Sequence, residues 1–204
     1  MFRQRRYYRG INMEIKVHVE PFALKAFIFW SADDTSWLTP FTIRVTGGQL
    51  PDKSDTWSHM GLGFELAGGK TIYYENLFRD GFRGPKPIEE LIAFRNAGGR
   101  LSIQPVDGLT VETCESIRDR CEAWADKRRG YYHWQLIAMW YFERFLRFYH
   151  RHIQPSPDRG VCSEDVARLL HPFVELRDTI RDFDEVNPNS AWRQWLNIKG
   201  GSYE

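Results

Sequence analysis

In the stretch DRGVCSEDVARLL, residues 158 to 170, a cysteine stands between a glycine and a helical run. Val166, Leu169 and Leu170 follow Cys162 at offsets of four, seven and eight, the stripe of an amphipathic helix. Gly160 suits a tight turn just ahead. Ser163, Glu164 and Asp165 fill the first turn, where acidic and hydroxyl side chains favour the positive end of the helix dipole. Cys162 is therefore expected at or near a helix N-terminus, where unpaired backbone N–H groups stabilise a thiolate. A nucleophile is one reading of this thiol. The other is a small buried hydrophobe, the usual behaviour of a free cysteine.

A cysteine nucleophile needs a base to take its proton, and the base needs a third group to orient it. Six histidines are available. His150 and His152 lie in a basic helix end, where an H-x-H pair points in divergent directions and makes a poor metal site. His18 and His171 belong to no motif, and His133 sits among aromatics. His59 differs. It opens a strand in DTWSHMGLGF, and alternation separates it from the apolar set Met60, Leu62, Phe64 and Leu66. Its own face carries Gly61 and Gly63, whose missing side chains are expected to leave room beside the imidazole. If the chain turns at AGG, Glu75 in TIYYENLF comes back near Gly61, close to or diagonal from His59. A carboxylate beside an imidazole favours the imidazolium and fixes its tautomer. The same pair also fits an ordinary surface contact.

The elements that must position these groups can be read along the chain. ALKAFIFW is a buried strand, too short to cross a bilayer. DDTSWLTPFTIRVTGG is a capped helical or irregular segment interrupted by Pro40. SHMGLGFELAGGKTIYYENLF is a β-hairpin, and RLSIQPV is a further strand. LTVETCESIRDRCEAWADKRRG is a helix with Thr110 as N-cap and Gly130 past its end. Cys114 and Cys121 share its apolar stripe with Val111, Ile117, Trp124 and Ala125. Roughly 10 Å of helix axis separates them, too far for a disulfide, so both belong to the core. YYHWQLIAMWYFERFLRFYHRHI is apolar almost all round in its first half. It is either a buried helix or an exposed apolar face for a dimer, a lipid surface or an acyl substrate. The tail VNPNSAWRQWLN reads as a short helix packing its tryptophans. This order describes an α+β domain, a small antiparallel sheet packed against helices, over residues 13–204. The basic segment MFRQRRYYRG, within residues 1–12, is a disordered arm ahead of it.

Composition narrows the function classes. A chain of 204 residues with 42% hydrophobic and 27% charged residues is an ordinary globular domain. A net charge of +1 supplies no field for nucleic acid or an anionic membrane, so DKRRG and RFLRFYHRH read as solvated faces. Three cysteines make no disulfide framework, and no secretory signal is visible, which points to the cytoplasm. Aromatics, 15% of the chain, fit a large aromatic core or a site for apolar groups.

The order WLTPFTIRVTGG, DTWSHMGLGF, IYYENLFRDGF and GVCSEDVARLL resembles the circularly permuted papain-like hydrolases. These are relatives of the NlpC-type cell-wall amidases that include the YiiX-like group and, more distantly, lecithin retinol acyltransferase. In that pattern a Thr-Gly segment precedes a Ser-His-x-Gly strand, a Glu-bearing strand follows, and a Cys-Ser-Glu helix comes last. The match runs from about Ala26 to Asn197. The resemblance implies a permuted papain-like, NlpC-type fold, with Cys162 as nucleophile, His59 as base and Glu75 as orienting residue. Tyr132 in RGYYHW is the nearest match to a Tyr that contacts oxyanion or substrate in the family. Asp165 stands where the family usually has Leu, and a carboxylate three positions beyond the thiol would oppose thiolate formation.

The expected function is a cysteine hydrolase of amidase, peptidase or acyltransferase type, working through an acyl-enzyme without metal or organic cofactor. Its substrates would be peptidoglycan-type peptides or lipid-linked acyl groups. The alternative keeps the fold and drops the chemistry, leaving a papain-like binding or assembly module.

Overall fold

A computed structural model of the chain describes residues 21–33, 56–77, 80–127, 129–131, 159–160, 162–173 and 191–192. The run ALKAFIFWSA forms β1 (Ala23–Ala32), buried throughout from Ala26 to Ala32. A run with so little polar alternation belongs in a strand covered on both faces. β1 is such a strand, lying between β2 (His59–Leu66) and β5 (Arg100–Pro105). β3 (Thr71–Leu77) and β4 (Gly81–Pro87) complete an antiparallel sheet of order β4-β3-β2-β1-β5. The β2–β3 hairpin turns where AGG predicts, with Gly68 and Gly69 at φ 93° and 82°, values that favour glycine.

Helices cover both faces. α1 (Glu89–Asn96) lies on the smaller side, where Leu91 packs with Phe27, Phe29 and Tyr73. α2 (Val111–Asp126) and α3 (Cys162–Leu170) cover the other, sharing a core with Ile28, Trp30, Met60, Leu62, Phe64 and Tyr74. Thr110 caps α2 as expected, its hydroxyl oxygen accepting from the Thr113 N–H at 3.2 Å. Cys114 and Cys121 are fully buried free thiols in this core, and burial pushes both upward in pKa. Trp192, from the tail, packs edge-on against Trp30 and Trp57. No helix among the described residues is long and apolar enough to cross a membrane.

The mixed α+β class with a small antiparallel sheet is what the pattern predicts; four details differ. β4 and α1 have no counterpart in the sequence reading, because Pro85 and Pro87 mask a strand that survives only at the sheet edge. Gly160 lies not in a turn but in a short strand β7 (Arg159–Gly160), which pairs in parallel with β6 (Gly130–Tyr131) and leads the chain towards Cys162. The polar face of α3 is not solvated: every residue of the helix except Arg168 is buried. Gly61 and Gly63, finally, do not open a space. A Cβ on Gly61 would collide with the Phe29 ring and stand 2.6 Å from the Tyr74 carbonyl oxygen. One on Gly63 would collide with Phe27 and stand 2.8 Å from the Ile72 carbonyl oxygen. The absent side chains let two phenylalanines of β1 lie down over β2. The basic arm, the segment with the Thr-Gly pair and the aromatic run from Trp134 lie outside the described residues.

Because the obstacle at position 63 includes backbone, Gly63→Ala is expected to cost about 1–3 kcal/mol through overpacking. Urea denaturation measures it. An unchanged midpoint would mean that Phe27 has room to retreat.

Candidate active site

His59 is the first residue of β2 and pairs with Ser31 of β1, while Gly61 pairs with Glu75 of β3. Directly paired residues share a face, so the imidazole and the Glu75 carboxylate stand diagonally on one surface. They touch: His59 Nε2 lies 3.0 Å from Glu75 Oε2. Phe29 meets the imidazole edge-on with centroids 6.0 Å apart and so limits the ring's rotation. Cys162, the first residue of α3, stands near enough for its charge to act on the imidazole. The described structure therefore brings Cys162, His59 and Glu75 together, although they lie far apart in the chain. Tyr132 lies outside the described residues.

Glu75 is not held by the imidazole alone. Its Oε1 accepts from Arg83 Nε at 3.1 Å and Nη2 at 2.8 Å, and Lys86 Nζ lies 3.6 Å away. Arg83 also donates to Asp80 at 2.9 Å, and Lys86 to Glu90 at 2.8 Å. A carboxylate this buried needs such partners to stay ionised. The sequence reading missed Arg83 and Lys86 along with β4. The signal was present: Asp80-Gly81 is a turn dipeptide, and a turn there returns Arg83 opposite Glu75.

The electrostatics follow from these contacts. Burial drives the His59 imidazole down, but the negative charge and hydrogen bond of Cys162 outweigh it, followed by the hydrogen bond and charge of Glu75. The result is a pKa raised to about 10. Burial likewise pushes Glu75 up, and the hydrogen bonds and charges of His59 and then Arg83 overcome it, lowering the carboxyl to about 2.

Asp165 does not act as the sequence reading expects. It is fully buried and turned into its own cluster, where Oδ1 accepts from Arg129 Nε at 2.9 Å and Oδ2 from Asn76 Nδ2. Its charge is matched by a guanidinium. Arg129 belongs to DKRRG and is 5% exposed, so this part of the basic run is no solvated face. Burial nevertheless raises the Asp165 pKa, against the opposing charge of Arg129 and the Asn76 hydrogen bond. Glu164 is buried too and pairs with Arg168 one turn on.

Among the described residues, no group of three or more His, Cys, Asp or Glu is arranged to hold a metal ion. Cys162 keeps 5% of its surface exposed and the His59 side chain 19%. No family model matches the chain, and neither a curated protein nor a solved structure matches it significantly.

The two shifted groups fix the sign of the pH dependence. His59, raised from 6.5, contributes stability that is complete below pH 6.5 and disappears as pH rises through about 10. Glu75, lowered from 4.5, contributes stability that is complete above 4.5 and disappears as pH falls through about 2. Between about pH 5 and pH 2, the wild type should therefore lose about 3 kcal/mol more than Glu75→Gln, read from urea midpoints at each pH. Parallel acid limbs would show that the Glu75 contacts contribute nothing.

Proposed function

We propose that this protein is a cysteine hydrolase acting on amide or ester bonds, with Cys162 as nucleophile, His59 as general base and acid, and Glu75 as the residue that orients the imidazole. The observation that carries this reading is the His59 imidazole bonded to the buried Glu75 carboxylate, with Cys162 near enough for its charge to act on the same ring. Nε2 is occupied by Glu75, which leaves Nδ1 as the nitrogen to exchange a proton with sulfur. The Cys162 thiolate attacks the carbonyl carbon, forming a C–S bond and an oxyanion. The backbone N–H of Cys162, at the start of α3, can donate to that oxyanion. The C–N or C–O bond then breaks, and the imidazolium gives its proton to the leaving amine or alcohol. Water, deprotonated by the neutral imidazole, attacks the thioester carbonyl; the C–S bond breaks, the carboxylic acid leaves, and the imidazolium returns its proton to the sulfur.

The permuted papain-like fold belongs to this proposal. The resemblance in motif order supports it, as does the placement of strand, hairpin and cysteine helix. The same resemblance suggests peptidoglycan-type peptides or lipid-linked acyl groups as substrates. A second reading, a papain-like binding module without turnover, draws on the low exposure of Cys162.

Alkylation separates the two. With iodoacetamide at about pH 6, Cys162 of the wild type should react about tenfold or more faster than in His59→Ala, read by peptide mass spectrometry that ignores Cys114 and Cys121. Short p-nitrophenyl esters should give a burst that the same substitution abolishes. Equal alkylation rates in the two folded proteins would sink the hydrolase and favour the binding module.

A further inference from the structure

Glu75 and Asn76 are consecutive on β3, so alternation turns them to opposite faces. Glu75 holds His59 on one side. On the other, Asn76, 1% exposed, donates to Asp165 of α3. Asp165 lies three residues after Cys162, one helical turn away and on the same side of the helix. Its remaining oxygen is held by Arg129, which is itself fixed in several ways. The guanidinium lies 4.3 Å over the Trp124 ring. The Arg129 backbone N–H donates to the Trp124 carbonyl at 3.0 Å, and its carbonyl accepts from the Phe82 N–H at 2.7 Å. A Cβ on Gly81, at φ 72°, would stand 2.7 Å from that carbonyl oxygen. The first turn of the thiol helix is thus held by a strand and by the chain beyond α2 at once.

A buried ion pair adds little stability over apolar residues of equal volume, whereas its geometry is directional. Each residue of helix rotation swings a side chain by 100°. Holding Asp165 therefore fixes where the side chain one turn earlier points. We propose that Arg129, Asp165 and Asn76 form a positioning clamp that sets the rotation of α3 about its axis and so aims the Cys162 sulfur at His59. The clamp rests on the thiol–imidazole reading of the site. Asp165 is a positioning residue in it, acting through Cys162.

The test replaces the pair with apolar residues of similar size, Asp165→Leu with Arg129→Met, in the full chain. Iodoacetamide labelling of Cys162 at about pH 6 should slow about tenfold or more. The His59 midpoint, followed by NMR, should fall by about one unit or more as the sulfur withdraws. Glu75 on β3, with Arg83 and Lys86 behind it on β4, still faces the ring in that variant. Asn76→Leu removes one donor and leaves the ion pair; it should act in the same direction, slowing labelling about two- to fivefold. A folded double variant with wild-type labelling and midpoint overturns the clamp. Should the double variant not fold, Asn76→Leu decides by the same two readings. If the His59 midpoint falls but wild-type labelling never depended on His59, the clamp stands and the catalytic proposal fails.

Discussion

His59 is bonded to Glu75 and stands within the electrostatic reach of Cys162, and the candidate site depends on both neighbours staying in place. Glu75 takes Nε2 at 3.0 Å, which fixes the plane of the imidazole. A free carboxylate would do this poorly, since a buried and unpartnered Glu prefers to take up a proton. The hydrogen bonds and charges of His59 and then of Arg83 on β4 keep Glu75 ionised. Phe29 then closes the remaining rotational freedom. The imidazole is held by a carboxylate and an arene from two different strands.

The same economy explains why so much charge is buried around α3. Glu164, Asp165 and Arg129 would each be costly alone in an apolar core. Paired within hydrogen-bonding distance, they cost far less, and they impose directions that leucines in their places would not. The aromatic content of the chain serves the surrounding core: Trp30, Trp57 and Trp192 stack edge to face, and Phe82 meets both Tyr74 and Trp124.

The site was legible in the sequence wherever a local rule specified it. Two glycines after an apolar alternation fixed the β2–β3 turn, and once that turn is placed the opposition of Gly61 and Glu75 follows by counting. The stripe of Val166, Leu169 and Leu170 identified α3 and its orientation. What failed depended on partners from elsewhere in the chain. Gly61 and Gly63 looked like empty space because nothing local says that Phe27 and Phe29 of β1 will lie across them. Asp165 looked like an electrostatic fault because its partner, Arg129, is 36 residues away. Arg129 in turn looked solvated, since a run of four charges gives no hint that one of them turns inward. Pairwise tertiary choices of this kind leave no periodicity to read.

The placement of Glu75 and Asn76 side by side ties chemistry to strand register. Were β3 to slip by a single residue against β2, every side chain would change faces. The carboxylate would then enter the core and the amide would leave it, so His59 and the thiol helix would lose their supports in the same event. A mispaired molecule would consequently lose both at a stroke, with no intermediate form in which half of the arrangement is built.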